Sequence, residues 1–495
     1  MLTGLDEILD EHKAKVKNNG FCKLELARDK HCISRRNISD KALKTLYRLI
    51  DCGFKAYLVG GAVRDLLLKK TPKDFDVSTN ARPEQITKVL SNSRIIGRRF
   101  KIVHVVYGYE IVEVTTFRSN LKNEIPKASI GPNRFQKSST GALVRDNNYG
   151  KSLHADAQRR DFTINALYYD ISNFSVIDYF GGLHDLVHKT IEMIGDPKTR
   201  YEEDPVRMIR AIRFAAKLGF KISRRTSSPI SKMGVHLTYV SPDRMYEEVN
   251  KLLLTGYGLK SYRLLKKYDL LKYILGVENT DLMTTERGNA FIEYALSCSD
   301  ERITKGKYNV PYFLYALLLF PVFETKLFLC MEKNNMAPLD YNQKRECALN
   351  IFKSISCINI PYFVEEDIIK LWLCQMQLTE LIREEQAEAL SYKGIFRASF
   401  DLLKLRTSID PFLNDIVDFW TPFYQKRVIE HEKEKAKKEQ KRLAKIKEKQ
   451  EKNPKGKSKF ARQKDKAQPE IKTNEKRKSR RKTRSKLKLI ENIPF

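Results

Sequence analysis

The constraint that most narrows what this chain can fold into sits at residues 56 to 65. The run A-Y-L-V is a short buried strand that stops at Gly60-Gly61, and A-V-R-D then begins a helix. Two glycines at a strand-to-helix turn let backbone N–H groups approach a phosphate closely, with Arg64 one turn further on. The plainer alternative is a packing turn with Arg64 and Asp65 merely exposed. Upstream, Leu43, Leu46, Leu49 and Ile50 recur at helical spacing behind a Ser39-Asp40 N-cap. Downstream come D-F-D-V (74 to 77), Pro83 at a helix start, and the runs 101 to 107 and 110 to 117 joined around Gly108. These predict a mixed sheet with helices. Residues 119 to 150 carry no period and read as a long loop, after which helical patterns run to about residue 425.

At 495 residues and 42% hydrophobic content the chain suits two to four domains. Its net charge of +31 favours a polyanionic partner, and residues 426 to 491 hold 28 Lys and Arg against 10 Asp and Glu, a net +18. That tail reads as a helix continuing from the body and dissolving into a disordered polycation near Asn453-Pro454, either a solubilising appendage or a nucleic-acid contact. Residues 1 to 38 read as a loosely held leader. The eight cysteines form no C-x-x-C pair, so reduced thiols are expected. The acidic start lacks a signal-peptide pattern, and the longest apolar stretch, Tyr312 to Phe323, reads as too short to span a bilayer. A soluble cytoplasmic protein with no stable membrane insertion is therefore expected. Attachment to a membrane surface through the tail would need an apolar stripe that the tail largely lacks.

On a strand, residues i and i+2 share a face, so Asp74 and Asp76 are expected side by side. Two such carboxylates repel unless cations lie between them, and hard oxygen donors suit magnesium. A two-metal site of this kind can activate an attacking 3′-hydroxyl and stabilise departing pyrophosphate. A lone D-x-D is equally a solvated strand edge, and its neighbourhood is what raises its value.

Four motifs occur in order: L-V-G-G-A-V-R-D (58 to 65), K-D-F-D-V (73 to 77), R-R-D-F-T-I-N-A-L (159 to 167) and E-D-P-V-R-M-I-R-A-I-R-F (203 to 214). The combination resembles the class II tRNA nucleotidyltransferase and bacterial poly(A) polymerase family. It looks closest to the poly(A) polymerase branch, through H-C-I-S-R-R-N-I-S (31 to 39), I-G-R-R-F-K-I-V-H-V (96 to 105) and V-R-D-N-N-Y-G (144 to 150), over roughly residues 30 to 420. The resemblance implies an α+β chain: a nucleotidyltransferase palm at 39–190, an all-helical neck at 191–275 and body at 276–425 that bind RNA, and the tail at 426–495. It also implies Asp74 and Asp76 as metal ligands, and Gly60, Gly61 and Arg64 at the triphosphate of ATP. For the third carboxylate, Asp161 in the R-R-D motif comes first, with Glu113 in reserve. Arg159 and Arg160 can pair with phosphates and Asn165 with a ribose, or the three can simply dock a helix on the sheet.

If 203 to 214 is one helix, Asp204 and Arg207 are i, i+3 neighbours that can offer an acceptor and a donor fork to one base edge; as an ordinary surface pair they would mean nothing. The resemblance implies that they select the incoming nucleotide, with Arg210 and Arg213 extending a basic row. Arg244, Lys251, Lys266 and Lys267 are candidates for RNA phosphates. The expected reaction is template-independent addition of adenylate to RNA 3′ ends on mRNA, regulatory and structured RNAs, with RNA-decay or RNA-chaperone partners reached through the tail. CCA addition to tRNA shares every catalytic motif. The segment after Arg118 lacks the Y-x-D-x-R-R-P-x-x-V-x-F run usual in CCA-adding relatives, which favours poly(A). A non-catalytic RNA-binding palm is the reading from another class, and intact Asp74, Asp76 and Asp161 argue against it.

Overall fold

A computed structural model describes residues 4–97, 101–118, 149–150, 152–380 and 384–451, with side chains to 444. The loop at 119–148 and the tail beyond 451 lie outside the described residues. The chain divides into two compact units, one comprising the residues up to Thr280 with Ile355–Ile360, the other Asp281–Ser354 with the residues from Pro361 on.

The first unit is built on a sheet whose strands are β1 (Leu24–Leu26), β2 (Ala56–Val59), β3 (Asp76–Thr79), β4 (Ser93–Ile96), β5 (Ile102–Tyr107), β6 (Glu110–Thr116), β7 (Leu167–Asp170) and β8 (Ser175–Asp178). Their order is β1-β8-β7-β2-β3-β6-β5-β4. Every pairing is antiparallel except β3 with β6. The expected local signals hold. Ser39 caps the helix Asp40–Asp51 through its side chain, Pro83 opens the helix Pro83–Val89, and β5 and β6 form a hairpin at Gly108, whose φ of +63° suits glycine.

Residues 4–38 are held rather than loose, which corrects the reading of the leader. A helix, Asp6–Asn19, buries Leu5, Leu9 and His12 on one side, and β1 adds an edge strand to β8. Charged residues at the intervening positions hid this 4-and-3 spacing in the sequence. His12 Nε2 lies 2.8 Å from the Cys22 carbonyl, and Lys13 Nζ donates to Asp185 at 2.6 Å. Beyond the sheet the unit is helical, through Pro197–Glu203, Val206–Leu218, Pro242–Leu253 and Gly258–Lys267. The exception is β10 (Lys221–Ile222), which pairs in parallel with β9 (Thr190–Ile191); two residues are too short to leave a period.

Among the described residues the second unit is helical. Its central helix, Pro311–Lys333, is 23 residues long and carries an 18-residue window of mean hydropathy 1.8, so by length and composition it could span a membrane, contrary to the sequence expectation. The helix continues the apolar run past Phe323 to Leu327, Phe328 and Leu329, while Phe313 to Phe323 are buried without interruption and form core. Phe328, further along the same helix, is 51% exposed and lies outside this core. Both tryptophans are buried, and each indole N–H reaches a carbonyl, Trp372 that of Ala316 and Trp420 that of Leu378. Trp372 stacks on Phe323 with centroids 4.7 Å apart. The helix Asn414–Glu451 carries the start of the basic tail.

Replacing Trp372 by Ala removes both the stack and the indole donor. We expect a loss of about 3–5 kcal/mol in the unfolding free energy of this unit, read by denaturant titration.

Candidate active site

Three adjacent strands bring the site together. Val59 pairs with Asp76 across β2 and β3, and Asp76 pairs with Glu113 across β3 and β6. The glycine turn, Asp76 and Glu113 therefore lie on one line across the sheet, and directly paired residues project to the same face. Asp74 is exposed in a bend before β3, which begins only at Asp76. The strand-alternation argument thus does not apply to Asp74, although its charge still acts on the other two. Burial, then Glu113, then Asp74 push the Asp76 carboxyl up to about 6, against the pull of Arg160. Partial burial and Asp74 also raise that of Glu113. His104, the cross-strand partner of Glu113 on β5, places Nε2 3.5 Å from its carboxylate. Asp76 and Glu113, both raised and both beside the charge of Asp74, form a hard-oxygen donor set short of positive charge, which a divalent cation would offset.

The turn is tightly shaped. Gly60 has φ +71° and ψ −129°, and its N–H donates to the Leu167 carbonyl at 3.1 Å. A Cβ at Gly60 would lie 3.3 Å from Arg160 Nη1, which would have to give by a few tenths of an ångström, and the backbone conformation itself favours glycine. Gly61 opens the helix Gly61–Leu67. Arg64 is buried, with Nε and Nη2 on Asp65 at 2.8 and 2.7 Å and Nη1 on the Asn165 side-chain oxygen at 2.6 Å.

Asp161 does not stand with the strand carboxylates as a free ligand. It is buried, accepts from Phe162 N and from Asn165 Nδ2, and receives the Nε and Nη2 of Arg210 on one oxygen. Burial opposes its charge, but Arg210 and these donors hold its pKa down at about 2. Glu113 is in register with Asp76 on the neighbouring strand. Arg160 donates to Tyr168 Oη at 3.0 Å and to Asp156 at 3.4 Å. Asp156 also accepts from Ser78, Tyr168 and the Arg118 backbone, a buried hub the sequence reading passed over although Asp156 and Arg160 stand at i, i+4. Arg159 is partly buried, and its carbonyl, like that of Arg160, accepts from Arg200 Nη2.

Residues 203 to 214 are not one helix. Pro197–Glu203 ends, Asp204 is extended at φ −153°, and Pro205 leads into Val206–Leu218. The proline disfavours α conformation at the residue before it. Asp204 and Arg207 therefore face different neighbours. Asp204 Oδ2 accepts from Arg244 at 2.8 Å while its Oδ1 is buried without a hydrogen-bond partner, and Arg207 Nη1 donates to the Arg200 carbonyl and to Glu203. The remaining basic row is paired within the protein, Arg210 with Asp161 and Arg213 with Glu248 at 3.3 Å. Of the candidates for RNA phosphates, Arg244 is on Asp204, Lys251 is on Glu248 at 2.9 Å, and Lys266 and Lys267 lie over Tyr262 and Tyr268.

Three segments of this chain match known family models. Residues 56–192 match the poly A polymerase head domain, 219–279 a probable RNA and SrmB-binding site of polymerase A, and 348–486 the polymerase A arginine-rich C-terminus. Poly(A) polymerase I of Escherichia coli O6:H1 is 41% identical over 80% of this chain and 85% of its own length. This chain belongs to the poly(A) polymerase family. The Haemophilus influenzae poly(A) polymerase I is 38% identical over 76% of this chain and 82% of its own length. A CCA-adding enzyme from Geobacillus is 36% identical but covers only 47% of this chain and 54% of its own. Among solved structures, the Bacillus stearothermophilus CCA-adding enzyme in complex with CTP shares the fold, with a TM-score of 0.55 at 22% identity over 78% of this chain and 82% of that one.

In this poly(A) polymerase head domain the Asp76 carboxyl sits near 6 against an ordinary 3.8, so the metal-free fold is penalised as pH rises through that window and carries the full penalty above it. Asp76→Asn should stabilise the protein in EDTA by about 1–3 kcal/mol above pH ~7 and give no gain below pH ~4, measured by thermal unfolding across pH.

Proposed function

We propose that this chain adds adenylate from ATP, without a template, to the 3′ ends of RNA. The reading is carried by the line of Gly60-Gly61, Asp76 and Glu113 across the sheet, with Asp74 beside it, in a chain that matches poly(A) polymerase I over most of its length. Asp74, Asp76 and Glu113 would hold magnesium. When bound, the metal supplies activation of the RNA 3′-hydroxyl and charge stabilisation of departing pyrophosphate.

The protein's own groups do the positioning. The Gly60-Gly61 backbone can approach the triphosphate closely because neither residue carries a side chain, and Arg160, 3.3 Å from where a Gly60 Cβ would stand, brings a guanidinium to the same place. The Asn165 carbonyl, 3.5 Å from where a Gly60 Cβ would stand, borders this turn from the R-R-D segment. Arg64, spanning Asp65 and Asn165, fixes the turn to that segment. The buried open acceptor Asp204 Oδ1 and the Arg207 guanidinium are the pair to read a base edge, the carboxylate accepting from the adenine amino group and the arginine donating to N1. Arg210 and Arg213 anchor the helix that carries Arg207. The basic tail supplies sequence-independent attraction for RNA, in a cytoplasmic setting, and is the segment to meet RNA-decay or RNA-chaperone partners.

With magnesium and ATP, the purified chain should lengthen unstructured RNA by many adenylates. Asp74→Asn, Asp76→Asn or Glu113→Gln should each lower the rate at least ~100-fold with folding intact. Asp161→Asn should instead show mainly a lowered unfolding midpoint, because it weakens the Arg210 pair. Addition restricted to C-C-A on tRNA, tested with CTP plus ATP, would overturn the assignment.

Removing residues 426–495 should weaken RNA binding and flatten the dependence of its affinity on salt while the head domain stays folded. A filter-binding titration over salt concentration checks this.

A further inference from the structure

Away from the strand carboxylates, the short helix Gly182–Val187 and the residue that caps it carry His184 and His188, one helical turn apart. Their rings stack with centroids 4.1 Å apart and planes 23° from parallel. Asp10, on the helix Asp6–Asn19, reaches the same place, its Oδ1 3.3 Å from His184 Nε2. One ligating atom from each of Asp10, His184 and His188 lies within 4.8 Å of the other two.

The surrounding hydrogen bonds fix which ring nitrogen faces inward. His184 Nδ1 is 3.2 Å from Asp185 Oδ1, and His188 Nδ1 is 3.0 Å from the His184 carbonyl. Both partners only accept, so each Nδ1 carries the proton and each Nε2 is left to present a lone pair. Asp185 is itself locked, accepting from Lys13 Nζ and Thr163 Oγ1, both at 2.6 Å. A carboxylate orienting an imidazole through Nδ1 while Nε2 faces outward is the usual outer support of a metal-bound histidine. On the Nε2 side the His184 lone pair meets a carboxylate oxygen, acceptor against acceptor, and either a second proton or a cation must stand between them.

We propose that Asp10, His184 and His188 bind one transition-metal ion of the zinc class, which clamps the N-terminal helix to the head domain. Two imidazoles and one carboxylate suit zinc, nickel or cobalt rather than magnesium, which takes oxygen donors. Asp10 and Lys13 share a face of their helix, so the ion adds a second clamp one turn from the Lys13–Asp185 pair. The ligand residues are separate from Asp74, Asp76 and Glu113, and the ion's role is structural.

The test uses the full chain without a histidine tag, stripped with a chelator, then titrated with zinc chloride in excess magnesium so that the catalytic carboxylates are occupied. We expect one equivalent of zinc, a raised thermal midpoint and slower proteolysis within residues 6–19. His188→Ala and Asp10→Asn, both at exposed positions, should each weaken zinc binding roughly tenfold or more and abolish the protection, with adenylate addition in magnesium unchanged. Cobalt substitution should give a visible absorption band that His188→Ala removes. Equal zinc affinity in wild type and His188→Ala, or zinc binding without protection of the helix, would overturn the proposal and leave the His184–Asp10 contact to a proton.

Discussion

The head of this molecule and the helix Val206–Leu218 are joined through a partly buried charge pair, Asp161 with Arg210. Asp161 lies just beyond the R-R pair at the end of a short helix, and Arg210 lies on Val206–Leu218. A pair of this kind is weak evidence for net stability, but breaking it strands a charge at about 3–5 kcal/mol. From Asp161 the chain of contacts passes to Asn165, from Asn165 to Arg64, and from Arg64 to Asp65 in the helix behind the glycine turn. The glycine turn and the helix Val206–Leu218 are therefore tied together by charge-assisted hydrogen bonds as well as by apolar packing.

Against that well-compensated network stands a site that is undercompensated. Arg160 pulls the Asp76 carboxyl down only in part, and its own Nε and Nη2 are taken up by Tyr168 and Asp156. Two carboxyls pushed upward within a few residues of a network in which every charge has a partner mark a place where the fold tolerates repulsion. The contrast between Asp161, held at about 2, and Asp76, near 6, separates a carboxylate that builds the scaffold from one that waits for a cation.

Much of the sheet was legible in the sequence because its signals are local: β2 ending at two glycines, the β5–β6 hairpin at Gly108, the Ser39 cap and Pro83. The break at Asp204 was also written there, since Pro205 restricts the residue before it, but the helical period across 203 to 214 masked it. Glu113 is a reserve candidate in the sequence, but its register with Asp76 could not be read locally. Glu113 reaches Asp76 through a parallel pairing between segments 37 residues apart, and such a register follows from tertiary packing, whereas the adjacency of Asp161 to R-R is visible in a motif. The leader's buried side was obscured by the charges between Leu5, Leu9 and His12. The loop used to separate poly(A) from CCA addition falls outside the described residues, so that distinction rests on relatedness over 80% of the chain against 47% for the CCA-adding relative.

The sheet has a single parallel seam, β3 against β6, and it lies under the carboxylates. A parallel pair cannot be closed by a tight turn, so the chain must leave β3, travel through the helix Pro83–Val89 and the strands β4 and β5, and return as β6. That excursion forms the free margin of the sheet, with β4 outermost. Lengthening or shortening it alters that edge while the two strands at its ends can keep their register. The topology thus lets the margin vary in size without moving the seam that carries the carboxylates.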